Sequence, residues 1–306
     1  MLGDYIIKIS IGQFYGIEIN DFAVTVAKTA MWIAESQMMK ETEDIIHQQL
    51  EYLPLKTDAH IVHGNALKID WETILSKEKA SFIMGNPPFV GYGFKSEDQK
   101  NDILSVYIDK DRKPYKTAGK IDYVAAWYYK ATQYIQNTKV TVAFVSTNSI
   151  TQGEQVASVW KPLYNLFTIN INFAHITFKW SSEASDKAAV HCVIIGFGFI
   201  NLKEKTLYHN NQARLVNNIN PYLIDAPVIF IESRSKPICN VPLMQTGNRP
   251  ADGGHLIIDD NDLSDFIKAD PLSEKYIRRF MGSLEYINNK KRWCLWLVDA
   301  SPSELR

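Results

Sequence analysis

Short apolar runs alternate with longer segments of helical period from about residue 13 to residue 199, and this alternation restricts the chain to an α/β architecture built on a doubly wound sheet. The first run, Gln13 to Ile19 (QFYGIEI), is aromatic and β-branched and ends beside Glu18. Asn20 or Asp21 can cap a helix directly after it, because Ala23, Val26, Ala27, Ala30, Ile33, Ala34 and Met38 recur at helical spacing. Strands are predicted at His60 to Val62 and at Ala80 to Met84, each closed by a small polar loop, HGNAL and GNPPF. Gly91 to Lys120 is polar and rich in Gly and Lys, with no predicted element; Ile121 to Ile135 is helical again. Then come a strand from Lys139 to Val145, a helix from Glu154 to Leu166, and strands at Ile169 to Ile176 and Ala188 to Phe199, the last long enough to pair antiparallel at a sheet edge.

From about Asn217 the texture changes, because Pro221, Pro227, Pro237, Pro242 and Pro250 interrupt any long periodic element and NRPADGG signals turns. A boundary is expected near residue 236, with helical stretches at Asp262 to Phe266 and Ser273 to Met281 and an apolar run, WCLWLV, beyond them. The chain stops soon after that run, before a compact second domain is expected to close. Lys+Arg total 33 against 34 for Asp+Glu, a net charge of -1, so any nucleic-acid contact must come from local patches. Cys192, Cys239 and Cys294 show no paired spacing, which argues against a disulfide framework or a cysteine zinc site and fits a reducing, cytoplasmic setting. The seven histidines show no metal-ligand spacing. No leader or membrane-spanning run is legible.

In open α/β sheets ligands lie beyond the carboxyl ends of the strands, and three strand ends here deliver Glu18, then Asn65 and Ala66, then Asn86, Pro87, Pro88 and Phe89. A carboxylate in the first position can accept both hydroxyl protons of a ribose diol, although a solvated or helix-capping carboxylate leaves the same trace. Asn65 reads equally as part of a turn. The Asn-Pro-Pro-Phe loop is more specific. Two prolines fix φ and remove two amide protons, so the neighbouring carbonyls are held as acceptors with no competing donor. Such a loop suits alkylation of a planar, conjugated amine: acceptors at the Asn86 side-chain oxygen and the Pro87 carbonyl draw the nitrogen toward tetrahedral shape and aim its lone pair at an electrophile. Phe89 offers a flat face for a ring, and a base in a duplex reaches such a pocket only when flipped out.

The strings FYGIEIND (14–21), GNAL (64–67), IMGNPPFVGY (83–92), KIDYVAAWY (120–128), VAFVSTNSITQGEQ (142–155), FKWSSEA (178–184) and TGNRPADGGHL (246–256) together resemble the amino-methylating DNA methyltransferases. The resemblance is strongest to MmeI-like, type IIL restriction-modification enzymes, in which nuclease, adenine N6 methyltransferase and target-recognition regions share one polypeptide. It implies a Rossmann-like class I methyltransferase sheet, S-adenosylmethionine as methyl donor and duplex DNA as partner. By that resemblance Glu18 binds the cofactor ribose, Ile19 packs on its adenine, and Asn65 with Ala66 lies near the adenine amine. Asn86, Pro87, Pro88 and Phe89 hold the target adenine, and Phe178, with Trp180 less securely, lines the flipped-base pocket. NPPF alone also admits RNA or protein-amide methyltransferases.

The glycine-rich turn that follows the first strand in this class has no counterpart before Glu18, where Gly3 and Gly12 stand in no Gly-x-Gly context. The expectation is therefore a fragment: residues 1–236 a methyltransferase domain without its first strand and loop, residues 237–306 part of a target-recognition domain. Alone it would bind cofactor poorly and be inactive, its partner being the missing N-terminal portion of its own protein, and the strands flanking the gap would carry unpaired edges. A catalytically silent DNA-binding module is the rival reading. Candidate DNA contacts are Arg249 with Asn248 and Asp252, the trio Lys275, Arg278 and Arg279 on an expected helix, and Lys290, Lys291 and Arg292 beside Trp293. Solvated helix faces give the same basic pattern.

Overall fold

In strand β4, Thr141–Thr147, burial alternates along the chain, with Val142, Phe144 and Ser146 buried, as expected for a strand lying inside a sheet with a core on one face. The computed structural model describes residues 8–50, 58–180, 190–234, 236–242 and 251–304, and the chain divides into two units between Ser233 and Arg234. In the first unit six strands form a mixed sheet in the order β3-β4-β6-β5-β7-β8: β3 (Phe82–Gly85), β5 (Asn170–Trp180), β6 (Val190–Gly198), β7 (Lys205–His209) and β8 (Gln212–Val216) join β4. Strands β1 (Tyr15–Glu18) and β2 (His60–His63) form a separate parallel pair, with Tyr15 and His60 stacked at 4.5 Å. Among the described residues β1 pairs only with β2, and β3 only with β4.

Helix α1, Asp21–Ile46, begins where Asn20 accepts the Ala23 N–H, and it runs past the expected end because nothing before His47 breaks it. None of its described residues is fully buried, and Phe22 is 74% exposed. The core lies instead between the larger sheet and helices α2 (Glu97–Val106), α3 (Ala125–Tyr134) and α4 (Gly153–Phe167). At its centre Tyr128 stacks on Phe197 with ring centroids 5.3 Å apart and shares a 2.6 Å hydrogen bond with Ser146, while the Trp160 indole donates to the Ile150 carbonyl. These buried polar tips are all answered, which keeps their burial favourable.

Three expectations are corrected. The polar stretch 91–120 contains α2, nucleated by a reciprocal capping box between Ser96 and Gln99 and anchored by Ile103 and Val106. β6 is antiparallel as expected but lies between β4 and β5, not at an edge, because it pairs with both of them; beyond β5 the sheet is extended by β7 and β8, a hairpin turning on left-handed Asn210 and Asn211. In the second unit Ser273 to Met281 is not a helix. A 3-10 turn, Pro271–Tyr276, leads into strand β10 (Ile277–Phe280), which pairs with β11 (Arg292–Leu295), itself paired with β9 (Ile257–Asp259). Short helices α5 (Leu263–Ala269) and α6 (Ser283–Ile287) complete this unit. Among the described residues no helix is long and apolar enough to cross a membrane, and the three cysteines are free.

Gly196 on β6 faces Phe173 on β5, and a Cβ there would stand 2.0 Å from the Phe173 ring. The ring covers the glycine as a cross-strand aromatic. Gly196→Ala is expected to cost about 1–3 kcal/mol through overpacking, read as a lower urea midpoint; an unchanged midpoint would refute this packing account.

Candidate functional site

The carboxyl ends of β3 and β4 open on one edge because the strands are parallel, with Gly85 level with Phe144. β6 runs the other way and β5 reverses again, so the start of β6 and the end of β5 return to that edge, where Thr147 is level with Cys192 and Cys192 with Phe178. Asn86 to Phe89, Ser146 to Ser149 and Phe178 to Trp180 thus share a rim. Phe178 is half-buried beside a register shift in β5, its ring 4.7 Å from that of His175, while Trp180 is 41% exposed.

Within the proline loop Pro87 is buried, Phe89 half-buried, and Asn86 exposed. Among the described residues neither the Asn86 side chain nor the Pro87 carbonyl has a hydrogen-bond partner. The acceptors are therefore presented, not consumed. Beyond Phe89 the chain is pinned: the Val90 carbonyl accepts the Tyr123 N–H at 2.9 Å and the Tyr92 N–H donates to Asp122 Oδ1 at 2.9 Å. Asp122 Oδ2 also accepts from the Ser149 hydroxyl, which is within 2.8 Å of Thr147 Oγ1.

At the end of β1, Glu18 is half-buried, its Oε1 accepts the Asn20 N–H at 3.0 Å, and Ile19 beside it is 68% exposed. The Gly64 N–H donates to the Glu18 carbonyl, and Gly64 has φ +155° with space so tight that a Cβ would come 2.4 Å from Ile69 Cδ1. Asn65 follows with both ends of its amide engaged: Oδ1 accepts the Leu67 N–H at 2.9 Å and Nδ2 donates to Asp102 Oδ2 at 2.9 Å. One lone pair and one N–H remain for any ligand. The Ala66 carbonyl accepts from the Trp71 indole.

Asp102 is only 3% exposed; it accepts from Asn65 and, at 2.7 Å, from the Tyr123 hydroxyl, with Lys68 Nζ 3.3 Å from Oδ1. Burial, reinforced by the Asp102 hydrogen bond, raises the Tyr123 phenol above its ordinary range, so the phenol stays protonated and donates. Sequence reasoning assigned no role to Asp102, Asp122, Tyr123 or Ser149. Two charged positions amid buried apolar neighbours, Asp102 before Ile103 and Asp122 before Tyr123, were the available signal.

The proposed basic contacts are dispersed. Arg278 and Arg279 are neighbours on β10, so they point to opposite faces, and Lys275 precedes the strand in the 3-10 turn, paired with Glu304. Arg278 donates to the carbonyls of Lys275 and Ile277. Arg292 is committed to Glu285, which is 3% exposed, at 2.5 Å. Burial works against the Glu285 charge, but the Arg292 contact together with backbone N–H donors, that of Gly282 among them, outweighs it and holds that carboxyl below its usual range. Lys290 and Lys291 are exposed on the turn before β11, and Asp252 turns inward to accept the Leu256 N–H. Arg249 and Asn248 lie outside the described residues.

Asp102→Ala would leave the Asn65 amide and the Tyr123 hydroxyl without their shared acceptor. A loss of about 1–3 kcal/mol is expected in urea unfolding, and a neutral result would show that water replaces the carboxylate.

Residues 2–209 match the family described as the MmeI DNA-methyltransferase domain, and residues 225–306 the MmeI target recognition domain. The chain is 40% identical over 312 residues to DNA methyltransferase A of Bacillus subtilis (strain 168), covering all of this chain and 35% of that protein. It is also similar to the structure of the type IIL restriction-modification enzyme MmeI in complex with DNA, at 46% identity and a TM-score of 0.89, over 99% of this chain and 41% of that one. The chain thus spans little more than a third of the length of these relatives.

Proposed function

The chain belongs to the MmeI family of DNA methyltransferases, with a methyltransferase domain followed by a target recognition domain, and from that premise we propose that it takes part in adenine N6 methylation of duplex DNA within a restriction-modification system. The observation that supports this most is the presented pair of acceptors: an exposed Asn86 amide and a free Pro87 carbonyl on a loop whose far side is fixed. Residues 1–236 form the catalytic side of this reading and 237–306 the DNA-reading side.

The residues at the end of β1 fit S-adenosylmethionine. Glu18 keeps Oε2 without a partner among the described residues and a second lone pair on Oε1, enough to accept both hydroxyl protons of a ribose diol, and the exposed Ile19 offers an apolar surface for a purine. Asn65 and Ala66 border the same strand-end region through the Gly64–Glu18 hydrogen bond. When bound, this group supplies an electrophilic methyl. Asn86 Oδ1 and the Pro87 carbonyl accept the two amine protons of a flipped adenine and favour a pyramidal nitrogen, Pro88 stiffens the loop, and Phe89 stacks on the base. Phe178 borders the base from across the rim. With both amine protons held by Asn86 Oδ1 and the Pro87 carbonyl, the nitrogen lone pair would be directed at the methyl the cofactor would supply, and the proton the nitrogen loses would pass to water. Of the basic candidates, Arg279, Lys290 and Lys291 are exposed for phosphate contact, whereas Lys275, Arg278 and Arg292 already serve the second unit.

The test is labelled methyl transfer to duplex DNA by this chain reconstituted with the N-terminal portion expected from its sequence, the chain alone being expected inactive, followed by nucleoside analysis. N6-methyladenine is expected, and Asn86→Ala is expected to reduce transfer at least about 100-fold while DNA binding persists. Label in cytosine, RNA or a protein amide would replace the substrate assignment, and DNA binding with no transfer would favour a silent binding module.

A further inference from the structure

Asp122 is 5% exposed, and a carboxylate that deeply placed is costly unless its oxygens are answered. It is answered by the Tyr92 amide and the Ser149 hydroxyl, and its own N–H donates to Gln155 Oε1 at 3.0 Å. The nearby buried ammonium of Lys95 places two of its three donors on the carbonyls of Gly119 and Ile121. The Asp122 carboxylate thus bridges two rim segments: the one leaving Phe89 and the one leaving β4. The next residue continues the link. The Tyr123 N–H holds the Val90 carbonyl, and its hydroxyl reaches Asp102, which holds Asn65.

We propose that Asp122 is a positioning residue for methyl transfer, setting the Asn86–Phe89 loop through the Tyr92 amide, and that Tyr123 ties that loop to the Asn65 loop so that one dipeptide registers the acceptor side against the donor side. The inference rests on the reading of Asn86 to Phe89 as the amine-holding loop. Prolines stiffen that loop from within, and Asp122 and Tyr123 fix the chain on its far side. Neither residue touches the amine; each acts through the backbone that carries Asn86 and Phe89. Displacement of about 1 Å at a reacting group can cost roughly 100-fold in rate.

The experiment compares Asp122→Ala, Asp122→Asn, Tyr92→Pro and Tyr123→Phe by hydrogen exchange of the chain and by methyl-transfer kinetics of the reconstituted protein on duplex DNA. In Asp122→Ala the peptide spanning 89–94 is expected to exchange at least about tenfold faster, with kcat reduced about 10- to 100-fold and KM for DNA nearly unchanged. Asp122→Asn keeps an oxygen for the Tyr92 N–H and is expected to recover most of the rate. Tyr92→Pro removes the donor and leaves the carboxylate in place; Gly91 before it is extended at φ -63° and ψ 152°, so proline fits and serves if Asp122→Ala does not fold. It is expected to reproduce the kcat loss. Tyr123→Phe keeps the Val90 bond, so exchange is expected to quicken at 64–67 and not at 89–94. Unchanged exchange at 89–94 in Asp122→Ala, or in Tyr92→Pro if the former does not fold, would overturn the inference, as would Asp122→Asn as impaired as Asp122→Ala, or a loss confined to KM. If the unmodified reconstituted protein moves no methyl onto DNA, the functional reading fails while the exchange comparison still decides the loop assignment.

Discussion

Burying a carboxylate near a rim of loops commits the surrounding chain, because every oxygen lone pair that leaves water must find a donor. Asp102 and Asp122 impose that demand here, and the hydrogen-bond donors that answer them come from four separate stretches, at Asn65, Tyr92, Tyr123 and Ser149, while Lys68 lies as an ion-pair partner beside Asp102 Oδ1 and Gln155 accepts the Asp122 N–H. Strand ends deliver these segments to one neighbourhood, and the acid side chains decide how they meet. Among the described residues the small parallel pair β1–β2 shares no strand pairing with the larger sheet, so the Asn65–Asp102–Tyr123 connection helps join the Glu18 end to the rest of the unit.

Much of this was legible in the sequence where local chemistry speaks for itself. Apolar runs closing on GNAL and NPPF announced β2 and β3, and the Asn20 cap announced α1. The loops carrying Glu18, Asn65 and Asn86 were readable because strand ends in an open sheet are where ligands go. Elements that depend on distant partners were not readable. β10 mimics a helix, since Tyr276, Ile277, Phe280 and Met281 fall at i, i+1, i+4 and i+5, and only its pairing with Arg292–Leu295 makes it extended. The β7–β8 hairpin turns on two asparagines with positive φ and not on the Asn-Gly pair that usually marks such a turn. Helix α2 shows few apolar positions because only part of one turn faces the core.

The basic residues of the second unit illustrate a related limit. In sequence Arg292 is one of three consecutive cations; in the structure it is the counter-ion of a nearly buried glutamate, closing α6 onto β11 and lying 5.1 Å from the Phe280 ring. Charge count alone cannot separate a cation spent inside the fold from one offered to solvent, as Lys290 and Lys291 are.

Because the proline loop is gripped through backbone groups at Val90 and Tyr92, its anchorage does not run through the exposed Asn86 side chain. On the proposed reading, exchange of the residue at 86 would retune which flat amine is accepted there while that backbone grip is retained. Chemical taste and architectural soundness would then be separately heritable in this corner of the molecule.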